Sequence, residues 1–490
     1  MDKWETIQQG PFAPTWESLR EYVCPEWFRD AKFGIWSHWG PQSAPMYGDW
    51  YARNMYRQGT DQYLHHWRVY GHPSKHGWKD VVKTWKAEHF DPDGLMQLYA
   101  DAGARYFFAQ AVHHDNFDNW DSTHNHWNSV KVGPEKDIVG LWQAAAQKLG
   151  LHFGVSEHLG ATFAWWSHNK GHDTVGPYAG VPYDGNDPAY EDFYLPNHDQ
   201  PRVDHQGENW YTENSWWHER WFDRIKDLID KYNPDLLYSD GAVPFGRYGM
   251  GIIAHLYNTN AARNGGQNLA VYNQKDRNPA IYKVGVLDIE RNVLNDSFPY
   301  PWQTDTCVGG WFYDVRRIYK TSKQVLEMLV DIVAKNGNLL LNFTQRPDGT
   351  LDDECLSIVS DMAVWNKVNA EGIYGTRPWH LALEGKTNAP QDRFREEQLP
   401  WTPEDFRFTS KGKVIYAFQM AWPEDGQALI KSFTTGSGGY RLHVAEVENV
   451  ELLGYDGKLS FEHTAAGLDI KGLPDTSPVQ CAHCFKITTK

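Results

Sequence analysis

Basic residues and long apolar runs are both scarce in this sequence. Its 490 residues include 47 Lys and Arg against 63 Asp and Glu, which gives a formal net charge of −16. Binding to DNA or RNA needs a basic surface, so this charge argues against nucleic acid as a partner. No apolar run is long enough to cross a bilayer, and 41% of the residues are hydrophobic. We therefore expect a globular protein with a large core and no membrane partner.

Cysteine is scarce as well. The five cysteines are too few and too scattered for a disulfide framework. Cys481 and Cys484 have the CxxC spacing of metal or redox sites, but no second ligand pair accompanies them, so we place them in a terminal strand. The first residues contain neither a basic segment nor an apolar one, so no signal peptide is visible.

Aromatic residues, in contrast, are abundant. The chain has 24 Trp, 26 Tyr and 22 Phe, which together make 15% of its residues. Phe serves in any core, but an excess of Trp and Tyr provides flat stacking surfaces with a polar group attached, as sugar rings require. The composition therefore favours a carbohydrate ligand.

Short β-rich segments alternate with helical patterns up to about residue 345. Helical patterns lie at residues 137–149, 216–232 and 322–335, and no GxGxxG motif follows any β-rich segment. This alternation predicts an α/β fold, a (β/α)8-like TIM barrel. The eight predicted strands are residues 33–36, 106–111, 152–156, 236–239, 269–272, 284–289, 302–306 and 339–343.

The pattern changes after a helix predicted at residues 352–370. From about residue 382 the helical pattern stops, and short alternating segments follow at residues 414–420, 440–444, 450–453 and 458–463. This predicts a catalytic barrel over residues 1–381 and a C-terminal antiparallel β-sandwich over residues 382–490. Residues 169–209 are rich in Gly, Pro, Asp and Tyr, and we expect them to form an ordered functional loop after the third strand, at the outer edge of the binding site.

Polar residues follow most of the predicted barrel strands. In a TIM barrel the active site lies at the carboxyl ends of the strands, so residues at these ends are site candidates. One shared pocket explains so many polar strand ends better than a set of unrelated turns does. In chain order the residues are His38, His113 and His114, Glu157 and His158, Asp240, Asn273, Glu290, Trp311 and Asn342.

Two carboxylates among these residues matter most. Asp240 ends the fourth strand, and the following Gly241 allows the chain to turn without crowding a site. Glu290 ends the sixth strand beside Arg291. Each has a structural alternative, since Asp-Gly also forms ordinary turns and Glu-Arg also forms surface ion pairs. Hydrolysis of an acetal with retention needs two such carboxyls about 5–5.5 Å apart, one nucleophile and one proton donor.

The histidines also permit a metal site. His113 and His114, with His38 from the first strand and His124 and His126 nearby, are potential ligands. Consecutive residues of a strand point to opposite faces, however, and the first strand has no HxH pair. Neutral imidazoles that bind sugar hydroxyls explain the same residues. We therefore predict no metal and no cofactor.

Five segments resemble the family 29 glycoside hydrolases, the α-L-fucosidases. Residues 27–40 (WFRDAKFGIWSHWG) are similar to the opening signature of that family, and residues 104–117 (ARYFFAQAVHHDNF) to its second block. Residues 236–241 (LLYSDG) are similar to its nucleophile strand. The last barrel motif is matched at residues 336–343 (NGNLLLNF) and 371–379 (EGIYGTRPW). The resemblance covers roughly residues 15–380.

This resemblance implies a retaining exo-glycosidase with a barrel and a C-terminal β-sandwich. Carried over by position, Asp240 is the nucleophile and Glu290 best fits the acid/base. The implied sugar-binding residues are His38, Asp49, Trp50, His113, His114 and Trp311.

The sequence departs from the family pattern around the expected pocket. Asp49 stands where family members usually carry Glu, one methylene longer. The third strand lacks a tyrosine that the family uses near the sugar, and Glu157 and His158 are the candidates to fill its space. These changes leave the predicted reaction unaltered and bear on which sugar is bound.

We therefore expect hydrolysis of terminal α-L-fucosides in oligosaccharides or glycoconjugates. The alternatives are an α-L-galactosidase or a hydrolase of substituted fucose with the same residues, a non-catalytic carbohydrate-binding protein, and a metal-dependent barrel hydrolase. L-Galactose adds only a hydroxyl at C6, and an apolar pocket rejects an added hydroxyl weakly. The resemblance implies a periplasmic or secreted protein, while the absence of a visible signal peptide leaves a cytoplasmic location open. The oligomeric state is not predicted.

Overall fold

Eight parallel strands close into a barrel in the first part of the chain. The computed structural model describes residues 3–202, 210–278, 281–390, 396–433 and 446–490. Each strand pairs with the next in parallel, and β8 pairs back onto β1. The strands are β1 Phe33–Ser37, β2 Tyr106–Val112, β3 His152–Glu157, β4 Leu236–Ser239, β5 Val271–Gln274, β6 Val286–Asp288, β7 Trp302–Cys307 and β8 Gly337–Asn342.

Helices surround the barrel, and several begin at the side-chain caps that the sequence provides. The Asn214 side chain accepts from the amides of Trp216 and Trp217 at the start of α10, and Thr321 and Gln324 form a capping box at α12. The helices are α1 Trp16–Leu19, α2 Glu26–Ala31, α3 Tyr51–Asn54, α4 Asp61–Val69, α5 Trp78–Val81, α6 Pro92–Asp101, α7 Ile138–Lys148, α8 Thr162–Trp165, α9 Glu191–Tyr194, α10 Ser215–Tyr232, α11 Arg247–Arg263, α12 Ser322–Ala334 and α13 Asp353–Ile373.

Large aromatic side chains pack against glycines of the neighbouring strands, Tyr106 inside the barrel and Trp302 beneath α12. A Cβ atom on Gly34 of β1 would lie 2.2 Å from the Tyr106 ring of β2, and one on Gly337 of β8 would lie 2.6 Å from the Trp302 ring of β7. Such contacts leave no room for a larger residue than glycine. The barrel is therefore a packed core, and the open space lies at its carboxyl end.

The C-terminal part consists of two antiparallel sheets. The five-stranded sheet has the order β13-β16-β11-β10-β9, and the three-stranded sheet has the order β12-β15-β14. Residues of both sheets, among them Phe408, Ile430, Ile470 and Phe485, form one buried apolar cluster. The strands are β9 Arg377–Glu384, β10 Phe406–Lys411, β11 Val414–Gln419, β12 Gln427–Ile430, β13 Val447–Leu452, β14 Ser460–His463, β15 Leu468–Lys471 and β16 His483–Thr489.

These elements confirm the predicted fold class, a (β/α)8-like barrel followed by antiparallel sheets. Three barrel strands differ from the prediction by two residues or more: β5 is shifted two residues toward the C-terminus, β6 is shorter than residues 284–289, and β8 begins two residues before residue 339. The segment predicted at 440–444 and the end of the 169–209 loop lie outside the described residues. The predicted boundary between residues 381 and 382 falls within β9 and stays a prediction.

Two further expectations, on the cysteines and on membrane-spanning helices, can be compared with the structure. All five cysteines lie in the described ranges as free thiols; Cys484 is part of the terminal strand β16 as predicted, whereas Cys481 precedes this strand, and both are buried. In the portion of the chain that the structure describes, no helix combines the length and the apolar character needed to cross a membrane.

Candidate active site

A cavity of about 340 Å³ opens at the carboxyl end of the barrel. Nine of the ten residues predicted for catalysis or substrate binding line it, and the tenth, Glu157, does not; the strand-end candidates Asn273 and Asn342 do not line it either. The lining residues are Trp36, His38, Asp49, Trp50, Asn54, His113, His114, His158, Tyr238, Asp240, Lys275, Glu290, Arg291, Asp305 and Trp311.

Asp240 and Glu290 face each other across one lysine. The Lys275 Nζ lies 2.8 Å from Asp240 Oδ1 and 2.8 Å from Glu290 Oε2. The two carboxylate oxygens are therefore at most twice that distance apart. This limit accommodates the separation of about 5–5.5 Å found in retaining glycosidases and is below the roughly 6.5–9.5 Å of inverting ones.

The surroundings separate the acidities of the two carboxyl groups. Burial alone would raise the pKa of Asp240, but the charge of Lys275, with His158 and His114, brings this pKa well below its usual range. Burial raises the pKa of Glu290, and the neighbouring Asp305 and Asp240 add to the effect, while Lys275 opposes it. Asp240 is thus the better anion and Glu290 the better proton donor.

The backbone also holds Asp240 in place. Its amide donates to the carbonyl of Glu157 at 3.1 Å, and the Lys275 amide donates to the carbonyl of Gly241 at 2.7 Å. Gly241 has a φ of 113°, which provides the turn expected after the strand. The Tyr211 hydroxyl donates to the carbonyl of Ala242 at 2.8 Å and lies 3.0 Å from that of Asp240. The segments after β3, β4 and β5 therefore fix the Asp240 main chain together.

Four histidines line one side of the cavity. Burial lowers the pKa of His38 and His113 well below the ordinary value and that of His158 to about 3, so these rings are neutral. The Gln42 amide donates to His113 Nδ1 at 2.7 Å, so His113 carries its proton on Nε2. His114 donates from Nδ1 to the His158 carbonyl at 2.7 Å, and its Nε2 lies 3.4 Å from Asp240 Oδ2.

Three of these rings are also close enough to share a metal ion. Ring nitrogens of His38, His113 and His158 lie within 4.8 Å of one another. A metal-bound imidazole usually donates its second N–H to a carbonyl or carboxylate, whereas His113 accepts there from Gln42. Among the described residues, the Nδ1 atoms of His38 and His158 have no hydrogen-bond partner. The surroundings suit neutral imidazoles better than metal ligands, and the absence of a metal stays a prediction.

Asp49 connects two of the loops that border the cavity. Its Oδ1 accepts from the Phe312 amide at 2.7 Å and its Oδ2 lies 3.4 Å from the Trp311 amide. Burial raises the pKa of Asp49 to about 6, although both amides and Arg291 oppose this rise. Trp311 packs at 5.4 Å from the Trp36 ring. Asp49 therefore holds the loop that carries Trp311.

Trp50 belongs to an aromatic wall. Its ring centroid lies 5.8 Å from that of Trp165 and 6.2 Å from that of Trp210, and Arg53 lies over the Trp50 ring at 5.2 Å. Residue 50 has a φ of 58°, which directs the chain into α3. Trp165 and Trp210 support Trp50 from behind and do not line the cavity themselves, and nothing in their local sequence predicted this contact.

Glu157 lies behind the cavity. Its Oε2 accepts from the Trp221 indole at 3.1 Å and from the Gly160 amide at 3.2 Å, and burial raises its pKa. Glu157 is the last residue of β3 and packs against α10, whereas His158, just beyond the strand, enters the cavity. Glu157 contributes through its carbonyl, which accepts from Asp240.

The sequence reasoning missed Lys275 and Asp305. Lys275 comes directly after β5, but the strand was predicted two residues too early, which placed Asn273 at its end. Asp305 lies inside β7, where its Oδ2 accepts from the Tyr238 hydroxyl at 3.0 Å. A charged residue within an otherwise buried strand was the available signal for Asp305.

The fold and the site together define a class of enzyme. A closed (β/α)8 barrel with two carboxyls at this separation, neutral imidazoles and tryptophans around a polar cavity, is typical of a glycoside hydrolase. The α-L-fucosidase family model matches residues 1–371, and the model of the α-L-fucosidase C-terminal domain matches residues 398–488. The chain belongs to the α-L-fucosidase family, a family of glycoside hydrolases that act on α-L-fucosides, and the family and enzyme class predicted from sequence are confirmed.

Individual relatives agree with this assignment. The tissue α-L-fucosidase of Rattus norvegicus is 25% identical over 97% of this chain and 92% of its own length. An α-L-fucosidase of Branchiostoma floridae is 27% identical over 86% of this chain and 84% of its own. The Thermotoga maritima α-fucosidase in complex with fucose shares the fold, with a TM-score of 0.73 and 23% identity over 97% of this chain and 100% of that one. So does a Bacteroides thetaiotaomicron α-L-fucosidase trapped as a covalent intermediate, with a TM-score of 0.66 and 16% identity over 95% of each chain.

Proposed function

We propose that this enzyme removes terminal α-linked L-fucose from oligosaccharides or glycoconjugates with net retention, using Asp240 as the nucleophile and Glu290 as the acid/base. The observation that carries the proposal is the contact of both carboxylates with Lys275 at 2.8 Å. It limits their separation to the range that suits a double displacement. No cofactor is required for this chemistry.

In the first step an oxygen of Asp240 attacks the anomeric carbon while Glu290 gives its proton to the leaving oxygen. The pKa of Asp240, well below its usual range, favours the ionised nucleophile, and the raised pKa of Glu290 favours the protonated acid. In the second step Glu290 takes a proton from water, which attacks the same carbon and releases Asp240. Two inversions give net retention.

The remaining lining residues are suited to hold one sugar. His38, His113 and His158 present neutral rings to hydroxyl groups, and Asp49 adds an acceptor. Trp311 and Trp50 offer apolar faces for the C–H face or methyl group of fucose. Trp36 and Tyr238 come from within β1 and β4, on the strand side of the cavity, which favours the end of a glycan over an internal residue.

Hydrolysis of 4-nitrophenyl α-L-fucoside beside the α-L-galactoside tests this proposal. We expect kcat/KM to be higher for the fucoside, followed by release of fucose from fucosylated oligosaccharides. A preference for the galactoside would establish the alternative sugar. Hydrolysis of neither by the folded protein would favour the non-catalytic carbohydrate-binding alternative.

Treatment with a chelator tests the alternative that the protein is a metal-dependent barrel hydrolase. We expect the same rate before and after dialysis against EDTA, because neither carboxyl role needs an ion. Loss of activity that returns with added Zn²⁺ would instead assign His38, His113 and His158 as ligands.

We also propose that the enzyme acts outside the cytoplasm, in the periplasm or after secretion. The support is the resemblance to its relatives, one of which is named plasma α-L-fucosidase of Homo sapiens and is 26% identical over 92% of this chain. Fractionation of the source cells with an antibody against the protein should place it in the periplasmic or extracellular fraction. Its recovery in the cytoplasmic fraction alone would contradict this location.

A further inference from the structure

Lys275 is a buried cation placed between the two proposed catalytic carboxyls. Its side chain is 11% exposed. Besides the contacts with Asp240 and Glu290, its Nζ lies 3.7 Å from Asp305 Oδ2 and 5.6 Å from the centre of the Tyr238 ring. Its backbone is tied to Gly241 by a hydrogen bond of 2.7 Å. The position of the ammonium group is therefore fixed from several sides.

Four carboxyl groups face this one ammonium group. Asp240 comes from β4, Asp288 and Glu290 from the end of β6, and Asp305 from β7. Burial opposes the charge of Lys275, but the surrounding carboxyls raise its pKa well above the ordinary value.

Other titratable and charged groups also lie near the lysine and the two carboxyls, among them His114 at Asp240 and Arg291 near Glu290. Burial and the neighbouring Asp305 raise the pKa of Asp288 well above its usual range, and Asp288 Oδ2 accepts from the Gln303 amide at 2.7 Å. The Tyr238 hydroxyl donates to Asp305. His158 and the Tyr211 hydroxyl also lie within the influence of the lysine charge.

We propose that Lys275 is a positioning residue that acts as the counter-ion of Asp240 before glycosylation and of Glu290 after it. The inference rests on the proposed roles of these two carboxyls. It assigns to the lysine a task that neither carboxyl can perform, namely to keep one buried negative charge compensated at each stage of the reaction.

The charge balance of the reaction requires such a partner. When an Asp240 oxygen bonds to the anomeric carbon, the bond from that carbon to the leaving oxygen breaks and the Glu290 proton goes to that oxygen. Asp240 becomes a neutral ester and Glu290 becomes an anion, so one negative charge moves from the first group to the second. Lys275 already touches both, and hence neither a movement nor a proton transfer by the lysine is needed. Deglycosylation reverses the change.

Removal of the lysine charge should move both limbs of the pH profile in the same direction. Lys275 lowers the pKa of Asp240 and that of Glu290, so its loss raises both. Activity needs Asp240 ionised and Glu290 protonated, hence the acid limb and the alkaline limb of kcat/KM both shift to higher pH. A residue that only supported the fold would lower the rate without moving either limb.

The test compares Lys275→Gln and Lys275→Met with Lys275→Arg in the full chain. With 4-nitrophenyl α-L-fucoside we expect the two neutral variants to lose about 10²–10³-fold in kcat, with a smaller change in KM, and both limbs to move up by about one pH unit. The arginine variant, which keeps the charge, should recover most of the rate and the original limbs. Lys148→Met, which removes the exposed ion pair between Lys148 on α7 and Asp93 on α6, is the matched control and should behave as the wild type.

The outcomes distinguish this inference from the proposed function. Circular dichroism and thermal melting establish that each variant is folded. If the wild type hydrolyses the fucoside and a folded Lys275→Gln variant keeps both limbs in place, the lysine role is wrong and the carboxyl roles stand. If the wild type does not hydrolyse the fucoside, or Asp240→Asn is as active as the wild type, the proposed function is wrong, and the role of Lys275 that rests on it is wrong as well.

Discussion

At the scale of single residues, two carboxyl groups of the same chemistry differ because their neighbours differ. Asp240 has Lys275 on one oxygen and His114 facing the other. Glu290 has Lys275 on one oxygen as well, but Asp305 and Asp240 lie close enough to make its ionisation unfavourable. Burial itself raises the pKa of both groups, and for Asp240 the charge of Lys275, which the interior screens poorly, outweighs it. The different acidities of Asp240 and Glu290 thus follow from their different neighbours.

The acid/base role of Glu290 predicts a dependence on the leaving group. For Glu290→Ala we expect kcat/KM on a natural fucosyl oligosaccharide to fall by about 10²–10⁴-fold, since the sugar leaving group needs a proton. Aryl fucosides with acidic phenols should lose far less in the glycosylation step. Steady-state kinetics on both substrate types measures the difference, and equal losses would contradict the role.

Asp49 predicts a pH dependence of stability. Its pKa in the folded protein is about 6, above the value of about 4 in an unfolded chain. The contribution of its protonated form is complete below about pH 4 and is lost as the pH rises through about 6. Relative to Asp49→Asn, the wild type should therefore lose on the order of 2–3 kcal/mol of unfolding free energy between pH 4 and pH 7.

Urea unfolding of both proteins at several pH values measures this loss. A difference between wild type and Asp49→Asn that stays constant over the range, or that changes in the opposite direction, would show that Asp49 is not buried as described.

The residue scale also shows where sequence reasoning succeeds. Polar residues at predicted strand ends identified His38, His113, His158, Asp240 and Glu290, because parallel strands of a closed barrel bring their carboxyl ends together. Lys275 was missed since an error of two residues in the placement of a strand moves its apparent end. Which face a residue takes next to a strand end, as for Glu157, depends on the local path of the chain and is not set by spacing alone.

At the scale of elements, two buried carboxylates organise the long segment after β3. Asp173 accepts from the hydroxyls of Tyr63 and Tyr183 and from His72, at distances of 2.5, 2.7 and 3.0 Å. Asp184 accepts from Tyr56 and Tyr194 and pairs with Lys79. No described residue of 169–202 lines the cavity. The segment instead packs against the region of α3, which follows Trp50.

This arrangement predicts an indirect effect of Asp184 on substrate binding. Asp184→Ala leaves Lys79 with Asp80 as its carboxylate partner and removes the acceptor of the Tyr56 and Tyr194 hydroxyls, which should cost about 2–4 kcal/mol of unfolding free energy. We expect a lower melting temperature and a raised KM with a smaller change in kcat, because the support of the Trp50 wall is weakened. Calorimetry and steady-state kinetics on a fucosyl oligosaccharide measure both.

Asp187→Ala is the matched control in the same segment. Asp187 is exposed and accepts only from the nearby Ala189 amide, so its loss should cost no more than about 1–2 kcal/mol and leave KM unchanged. Equal effects of the two substitutions would contradict the anchoring role of Asp184.

The element scale explains why some boundaries could be predicted. Helix α10 begins at an Asn cap and ends at Asn233, whose φ of 44° is the left-handed conformation common at helix ends. These signals lie in the local sequence. The sixth strand has only three residues because the chain enters it from a 3₁₀ turn at Tyr282–Val284, which hydropathy does not distinguish from a strand.

At the scale of the whole molecule, the barrel and the C-terminal sheets are joined through a buried charge cluster. Asp331 on α12 contacts Arg407 on β10 and pairs with Lys335 at 2.8 Å. All three side chains are at most 3% exposed. The main apolar core also continues into β11 through Phe418, which lies 6.3 Å from Trp365. We therefore expect the two parts to unfold together.

Asp331→Ala should destabilise both parts at once. The substitution leaves Arg407 and Lys335 buried without their shared anion, at a cost of about 3–5 kcal/mol. Calorimetry should show one transition at a lower temperature. Glu404→Ala, which breaks the exposed pair with Lys431, is the control and should cost less than about 1 kcal/mol. A second, separate transition in Asp331→Ala with the barrel unaffected would contradict the joint unfolding.

The overall architecture could be predicted from the sequence because strand and helix patterns repeat over hundreds of residues, so local errors do not change the topology. The contact between the barrel and the C-terminal sheets could not be predicted in this way. Arg407 and Asp331 are separated by 76 positions, and nothing in the local pattern of either residue indicates that they meet.

The central claim is that Asp240 forms the covalent bond to the sugar. Incubation with a 2-deoxy-2-fluoro-fucosyl fluoride, followed by proteolysis and mass spectrometry, tests it most directly because the fluorine slows release of the glycosyl-enzyme. We expect one sugar per chain, on the peptide that contains Asp240, and no label in Asp240→Asn. A label on a different residue, or on Asp240→Asn, would show that Asp240 is not the nucleophile.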